Sequence, residues 1–304
     1  MLNIILGAVS LGLIWAIMTI GVYITYRILG IADLTVEGTL AMGAAIAANS
    51  ISNGTNPYLA TLLALLGGLA AGLATGLLHT KLRIPALLSG ILTMIALYSI
   101  NLRIMGRANI SLLNRKTVYT PFQNIFEKYN LSTVIYPVIA VGLITVMIIV
   151  CFLYWFFGTE IGCAIRATGN NPNMVRAQGI NTNTMVIVGL VFSNGLVPIS
   201  GSLYAQSQNF ADIQMGQGSI VIGLASVIIG EVLFGKRNFF SRLIALVLGA
   251  ITYRIIIALV LMMGMPANDL KLFTALTVAI ALALPMFGEY LNTIKNSFRR
   301  RNNA

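Results

Sequence analysis

The polar stretch GTEIGCAIRATGNNPNMVRAQGINTNT, residues 158–184, lies between two long apolar runs. Within it, Asn171 suits a helix N-cap, Pro172 suits the first helical position, and Gly179 suits a left-handed helix end. We therefore predict a helix of about two turns over residues 172–178. A stiff, capped helix in a loop at a membrane surface indicates a place where another protein presses on this one.

The composition of the surrounding chain excludes a soluble fold. Of its 304 residues, 58% are hydrophobic and only 9% are charged, whereas soluble domains average about 25% charged residues. Strands of a membrane β-barrel would alternate polar and apolar residues over about ten positions, and the sequence lacks such segments. We therefore predict an all-α integral membrane protein that forms a single domain over residues 1–304.

The net charge of +11 fits a membrane protein, because basic residues gather in cytoplasmic loops and beside anionic lipid headgroups. We expect the lipid bilayer to be the partner of these charges, and no nucleic acid. The two cysteines, Cys151 and Cys163, show no disulfide or metal-binding spacing. The N-terminal apolar run has no basic segment and no small-residue cleavage site, so we interpret it as a retained span.

Apolar stretches long enough to cross about 30 Å of hydrocarbon predict about nine transmembrane helices (8–10). They cover residues 3–26, 28–51, 57–78, 86–105, 132–157, 183–206, 217–235, 242–263 and 269–288. The basic tail, residues 289–304, indicates the cytoplasmic side. Counting back from it, twelve Lys and Arg residues fall on the cytoplasmic side and six fall outside. We predict an N-terminus outside and a C-terminus in the cytoplasm.

The second apolar stretch is interrupted by acidic residues and glycines. Asp33 and Glu37 lie four residues apart, on one face of a helix, among Gly30, Gly38 and Gly43. Acids at membrane depth usually face a bundle interior or water, and broken helices occur beside substrate paths. We predict a broken second span with both acids on a translocation path. The alternative is a shorter span with both acids in a cytoplasmic loop.

Arg254 lies near the middle of the eighth apolar stretch, where an unpaired arginine would cost several kcal/mol. We expect an acidic or carbonyl partner, and Asp33, Glu37 and Glu231 are the candidate acids. The pairing could hold helices together, or Arg254 could line the path with Asp33 and Glu37. For Glu231 itself, a local ion pair with Lys236 and Arg237 is the simpler expectation.

The predicted outer loop, residues 106–131, breaks the charge rule. Arg103, Arg107, Arg115 and Lys116 form a basic patch there. These charges are either merely solvated or a docking surface for an acidic partner. A weak internal similarity also relates IADLTVEGTLAMG at 31–43 to FADIQMGQGSIVIG at 210–223, and repeated halves are common in transporters.

Motifs for chemistry are absent from the sequence. It has no GxxxxGK[ST] loop for ATP phosphates, no HExxH or cysteine cluster for a metal, and one histidine, His79. A Ser-His-Asp or Cys-His site therefore has no basis. We predict a pathway protein rather than an enzyme, with no metal and no cofactor of its own.

The segment RATGNNPNMVRAQGI, residues 166–180, resembles the cytoplasmic loop of permease subunits of bacterial ABC importers. The similar group is the branched-chain amino acid and ribose permease superfamily. ADLTVEGTLAMGA at 32–44, MGQGSIVIGLA at 215–225 and GEVLFG at 230–235 resemble further segments of these families. The resemblance covers about residues 20–290 and points to a subgroup associated with amino acids, aromatic ones included.

This resemblance implies a division of labour among several proteins. Two permease subunits, expected to be a symmetric homodimer, would form the pathway, and two separate ATPase subunits would bind ATP beneath it. An extracytoplasmic binding protein would deliver the solute onto the basic patch. Residues 158–182 would be the coupling loop, whose helix sits in a cleft of the ATPase. The coupling residues would be Arg166, Gly169, Asn171, Pro172, Arg176, Ala177 and Gly179.

The resemblance therefore implies a permease subunit of an ATP-driven importer in the bacterial plasma membrane. Its solute would be small and polar, most simply an aromatic or branched-chain amino acid. Glu37 stands where the sugar-transporting branch has glycine, which argues against a sugar. Three alternatives stay open: a permease for a sugar or nucleoside, an ion-coupled secondary transporter using Asp33, Glu37 and Arg254, and a scaffold without transport.

Overall fold

The predicted all-α membrane architecture is confirmed. The computed structural model describes residues 2–128, 134–235, 238–262, 272, 274–277 and 279. Its α-helices are α1 Leu2–Tyr23, α2 Thr35–Ser52, α3 Pro57–Thr80, α4 Ala86–Met105, α5 Thr120–Lys128, α6 Ile135–Phe156, α7 Glu160–Asn170, α8 Pro172–Ala177, α9 Thr182–Gln208, α10 Ser219–Phe234 and α11 Phe239–Met262. A π-helical turn, Ile24–Ile28, continues α1, and two strands, β1 Asn109–Ser111 and β2 Phe210–Asp212, complete the fold.

Six of these helices are long and apolar enough to cross a membrane: α1 with its π-helical turn, α3, α4, α6, α9 and α11. Each lies within a few residues of a predicted span, and α10 is a shorter apolar helix of 16 residues. The predicted span 269–288, apart from a few positions, and the tail 289–304 lie outside the described residues. The count of nine and the orientation therefore stay predictions.

The second predicted span, residues 28–51, is interrupted near its start, and its helix is shorter than the predicted stretch. Leu29 N donates to Ile24 O in a π-type bond, residues 29–34 are not helical, and α2 begins only at Thr35. Gly30 has a φ of +71°, which glycine adopts without steric cost. Because residues 28–34 are mostly apolar, their composition hides this interruption. The break therefore precedes α2 instead of lying within it.

Helices α2 and α10, which are shorter than the six spanning helices, both begin against other parts of the bundle. The Thr35 hydroxyl lies 2.9 Å from the hydroxyl of Thr75, just over one turn before α3 ends. At the start of α10, a Cβ on Gly216 would overlap the Glu37 carbonyl oxygen, so the chain before α10 packs directly on α2. At each start, the first backbone N–H groups have no partner within their own helix and need one from elsewhere.

The helix ends gather at two opposite ends of the bundle. At one, the loop end, α7 and α8 lie beside the π-helical turn, the α3–α4 loop and the starts of α9 and α11. At the other, the strand end, β1 pairs antiparallel with β2, and Ile110 lies opposite Ala211. Apolar residues from the ends of α2, α4 and α9 and the start of α3 pack beneath the strands. The described Lys and Arg residues that the sequence analysis assigned to the cytoplasm lie at the loop end.

Candidate functional site

The capped helix predicted at residues 172–178 is confirmed as α8. Asn171 Oδ1 accepts a hydrogen bond from Met174 N at 3.1 Å, and Pro172 occupies the first turn. The helix ends at Ala177, and Gly179 follows with a φ of +82°. Local sequence signals therefore fix both ends of this helix without help from distant residues.

The outer face of α8 is open. Met174 is 46% exposed, and Pro172, Arg176 and Ala177 are also exposed, whereas Val175 is fully buried. Arg176 Nε donates to Thr182 Oγ1 at 2.8 Å, which ties α8 to the first turn of α9. One face of α8 thus anchors it to the bundle, and the opposite face presents an adaptable apolar side chain.

Helix α7 rests directly on the backbone at the end of α1. A Cβ on Gly169 would overlap the carbonyl oxygen of Ile28 and lie 2.9 Å from the Cα of Leu29. No side chain separates the two segments at this point, so a displacement of α7 reaches the π-helical turn directly. At the other side of α7, the Arg166 guanidinium lies 5.2 Å from the ring centre of Phe239 on α11.

Asp33 caps α2 from a buried position and is not in a solvated loop. Asp33 is only 2% exposed. Oδ1 accepts from Thr35 N at 2.9 Å, and Oδ2 accepts from Asn194 Nδ2 at 2.6 Å. Because Asn194 lies in the interior of α9, this one carboxylate joins the start of α2 to a long spanning helix.

Polar residues that the sequence analysis did not single out extend this contact. The hydroxyl of Thr39 donates to Asn194 Oδ1 at 3.2 Å. A second chain of hydroxyls, Thr35–Thr75–Thr93, joins α2, α3 and α4 through two 2.9 Å contacts. The signal available in the sequence was an asparagine and several threonines inside apolar runs, which often hydrogen-bond between membrane helices.

Glu37, in the first turn of α2, caps helix α10. Its Oε1 accepts from Gly218 N at 3.0 Å, immediately before α10 begins at Ser219. A carboxylate is favourable there because the N-terminal end of a helix carries partial positive charge. Asp33 and Glu37 therefore each satisfy a helix start that lies inside the bundle.

The expected acidic partner of Arg254 is absent from the described part of the chain. The Arg254 guanidinium lies 4.1 Å from the ring centre of Trp15, and its Nε bonds to no described residue. Glu231 instead pairs with Arg27, at 2.7 Å between Oε2 and Nη2; Lys236 and Arg237 lie outside the described residues. The predicted path residues Asp33, Glu37 and Arg254 thus make three separate contacts.

The predicted docking residues Arg103, Arg107, Arg115 and Lys116 are all exposed near the strand end. The loop that carries the last two is anchored to α9 by the next segment of chain. Val118 N donates to Gln206 Oε1, and the Tyr119 hydroxyl donates to Leu203 O, both at 2.9 Å. The basic side chains therefore project from a fixed support.

The six apolar helices that are long enough to span a membrane indicate a multi-pass membrane protein. The sequence matches, over residues 4–284, the family described as branched-chain amino acid transport system permease component. The chain belongs to this family, whose members are permease subunits of ABC transporters, and it resides in the bacterial inner membrane.

Individual relatives extend over most of the chain. It is 43% identical over 279 residues to the tyrosine transport system permease protein of Clostridioides difficile (strain R20291), covering 92% of this chain and 90% of that protein. It is 32% identical over 286 residues to the uncharacterized protein RP368 of Rickettsia prowazekii (strain Madrid E), covering 93% and 98%. The autoinducer 2 import system permease protein LsrC of Yersinia pseudotuberculosis (strain YPIII) is 24% identical over 242 residues, covering 78% and 65%. No solved structure matches the chain.

Proposed function

We propose that this chain is the permease subunit of an importer for an aromatic amino acid. An extracytoplasmic binding protein delivers the solute, and ATP is bound and hydrolysed by a separate ATPase subunit. The observation that carries the substrate is the 43% identity, over nearly the whole chain, to a permease named for tyrosine transport. The family membership supports the two kinds of partner.

In this proposal the loop end is cytoplasmic and α8 is the coupling helix. The open face with Met174 and Arg176 sits in a cleft of the ATPase, and residues Asn171, Pro172, Ala177 and Gly179 fix the helix that fills it. Arg166 and Gly169 hold α7 against the bundle. The coupling assignment is supported by the exposure of α8 and by the caps that make it stiff.

The contacts of the described residues suggest how a push on α8 reaches the pathway. Movement of α7 acts through Gly169 on the backbone of Ile28. Residues 29–34 then carry the displacement to Asp33, whose bond to Asn194 holds the start of α2. We propose that Asp33 and Glu37 act as positioning residues, since they hold the starts of α2 and α10 beside the path.

At the opposite end, the basic patch of Arg103, Arg107, Arg115 and Lys116 receives acidic residues of the binding protein. Electrostatic docking of this kind mainly raises the association rate and weakens with salt. Two copies of this chain enclose the pathway, because closed symmetric pairs are the commonest oligomers.

The contacts give less support to an ion-coupled secondary transporter. A proton relay would need Asp33, Glu37 and Arg254 to be linked, whereas the described residues hold each in its own contact. A second solute class is favoured by one observation, the similarity to permeases named for autoinducer 2 import. That relation is more distant and covers less of the chain.

Reconstitution into liposomes tests the proposal. With the cognate ATPase subunit and binding protein present, we expect tyrosine uptake that requires ATP on the side of the membrane where the ATPase is bound. A variant ATPase that binds but does not hydrolyse ATP is the matched control and should abolish uptake. Uptake by the permease alone, driven by an ion gradient, would contradict the proposal. Thermal shift of the binding protein with amino acids, sugars and nucleosides decides the solute class.

A further inference from the structure

A cavity of about 820 Å³ opens at the loop end, on the α1 side of α7. Its walls come from the π-helical turn, α7, α8, the end of α10 and the start of α11. The residues that define its chemistry are Tyr23, Arg27, Arg166, Glu231, Phe239 and Arg242. Arg166, Gly169 and Met174, which the proposed coupling role uses, also border this cavity, but that role assigns no ligand to it.

Positive charge dominates the cavity wall. Among the described lining residues are three arginines and one acid, Glu231. The formal charges of the described lining residues therefore sum to +2. Glu231 accepts from Arg27 Nε at 3.0 Å and from Arg27 Nη2 at 2.7 Å. Arg242 and Tyr23 both line the cavity, and the Arg166 guanidinium lies 5.2 Å from the ring centre of Phe239. The ring of Phe239 thus supports the Arg166 guanidinium at the cavity wall.

Exposed aromatic residues place the cavity at the membrane–water interface. Trp155 is 65% exposed, and Tyr154 and Phe240 are also exposed and meet edge to face, with ring centres 5.5 Å apart. An adjoining cavity is lined by Tyr154, Trp155, Phe239 and Arg166, so Arg166 borders both spaces. Aromatic side chains concentrate at the depth of lipid headgroups. Because Arg166 is exposed, a headgroup at the level of these aromatic rings would lie beside it.

We infer that this cavity binds the phosphate of an anionic phospholipid, with Arg166 and Arg242 as its main ligands and the acyl chains along the exposed surface of α6 and α11. Guanidinium groups match phosphate oxygens through paired hydrogen bonds, and basic clefts between membrane helices bind acidic headgroups. Because its walls belong to α1, α7 and α11, a bound lipid braces the proposed coupling loop against the bundle. The inference concerns the permease alone and holds whatever solute it carries.

Thermal unfolding of the purified permease in a neutral detergent tests this site. We expect phosphatidylglycerol to raise the unfolding temperature, and phosphatidylcholine with the same acyl chains to have no such effect. The double variant Arg166→Gln/Arg242→Gln should bind phosphatidylglycerol roughly 30-fold more weakly. The matched control, Arg83→Gln/Arg176→Gln, removes two arginines from a different cavity at the same end and should keep the lipid effect.

Further experiments distinguish a lipid headgroup from free phosphate and test whether the Gln variant is correctly folded. Inorganic phosphate or glycerol phosphate at matched concentration should give little stabilisation; an effect equal to that of the lipid would overturn the lipid assignment. The variant Arg166→Lys/Arg242→Lys keeps both charges and should recover part of the affinity, which shows that the Gln variant failed through charge and not through folding. Equal shifts with both lipids, full binding by the Gln variant, or loss of the lipid effect once the ATPase is bound would each overturn the inference.

Discussion

The two ends of this helical bundle are built differently. At the loop end, α7 meets the turn after α1 backbone to backbone at Gly169, and α8 is held by its own caps. At the strand end, two three-residue strands pair, and exposed basic side chains project from a loop anchored by Tyr119. Backbone contacts transmit displacement, whereas flexible charged side chains attract a partner without fixing its position. The difference fits the proposed roles, in which an ATPase displaces the loop end and a binding protein docks at the strand end.

The largest expected effect is at the backbone contact. Gly169→Ala places a Cβ against the Ile28 carbonyl, so α7 must move away, and overpacking of this kind costs about 1–3 kcal/mol. We expect ATP-driven uptake to fall more than roughly tenfold while the protein still reaches the membrane. Gly7→Ala, where a Cβ would meet nothing within 4 Å, is the control. Uptake that is equal in both variants would remove α7 from the coupling route.

The next effect compares two aspartates with the same local bond. Asp33 accepts from Thr35 N at 2.9 Å, and Asp212 accepts from Gln214 N at 2.7 Å, but only Asp33 is buried and bonded to Asn194. Asp33→Ala should lower the free energy of unfolding by about 1–3 kcal/mol, because it leaves buried polar groups unsatisfied. Asp212→Ala should cost distinctly less. Thermal unfolding in detergent measures both, and equal losses would show that Asp33 does not hold α2 in place.

A smaller effect is expected at the cap of α8. Asn171→Ala removes the bond to Met174 N and costs about 1 kcal/mol locally, so uptake should fall a few-fold. Asn56 caps the 24-residue α3 in the same way, through Tyr58 N at 3.0 Å. Asn56→Ala should leave uptake nearly unchanged, because a long packed helix depends less on its cap. Equal effects on uptake would mean that the stiffness of α8 is unimportant.

The smallest effect belongs to the strand end and depends on salt. Arg115→Glu/Lys116→Glu should slow uptake a few-fold when the binding protein is scarce, and the difference should shrink as ionic strength rises. Lys81→Glu, an exposed charge reversal at the loop end, should not change the dependence on binding-protein concentration. A loss that is independent of both salt and binding protein would contradict docking at this patch.

The sequence predicted what local signals and composition control. Asn171, Pro172 and Gly179 define α8 within nine residues, and long apolar runs define the spanning helices. The sequence analysis placed the start of the second helix too early. Gly30 turns the backbone and the Asp33 side chain caps α2, and neither effect is visible in the hydrophobicity of the sequence.

The roles of the acids lay beyond local signals. Asp33 meets Asn194, which is 161 residues away, and Glu37 meets Gly218 at a separation of 181 residues. Arg254 was expected to find an acidic or carbonyl partner, and among the described residues its guanidinium lies against the ring of Trp15. Contacts of this kind follow from helix packing, so a single sequence offers the residues without their partners.

Cross-linking from α8 tests the central claim most directly. In a chain whose exposed Cys151 and Cys163 are replaced by serine, Met174→Cys would carry a short photoactivated cross-linker, and Leu113→Cys at the strand end would be the control. The account predicts that Met174→Cys links to the ATPase subunit, with a yield that changes when ATP binds, and that Leu113→Cys does not. No link from Met174→Cys in a complex that still imports its solute would contradict it.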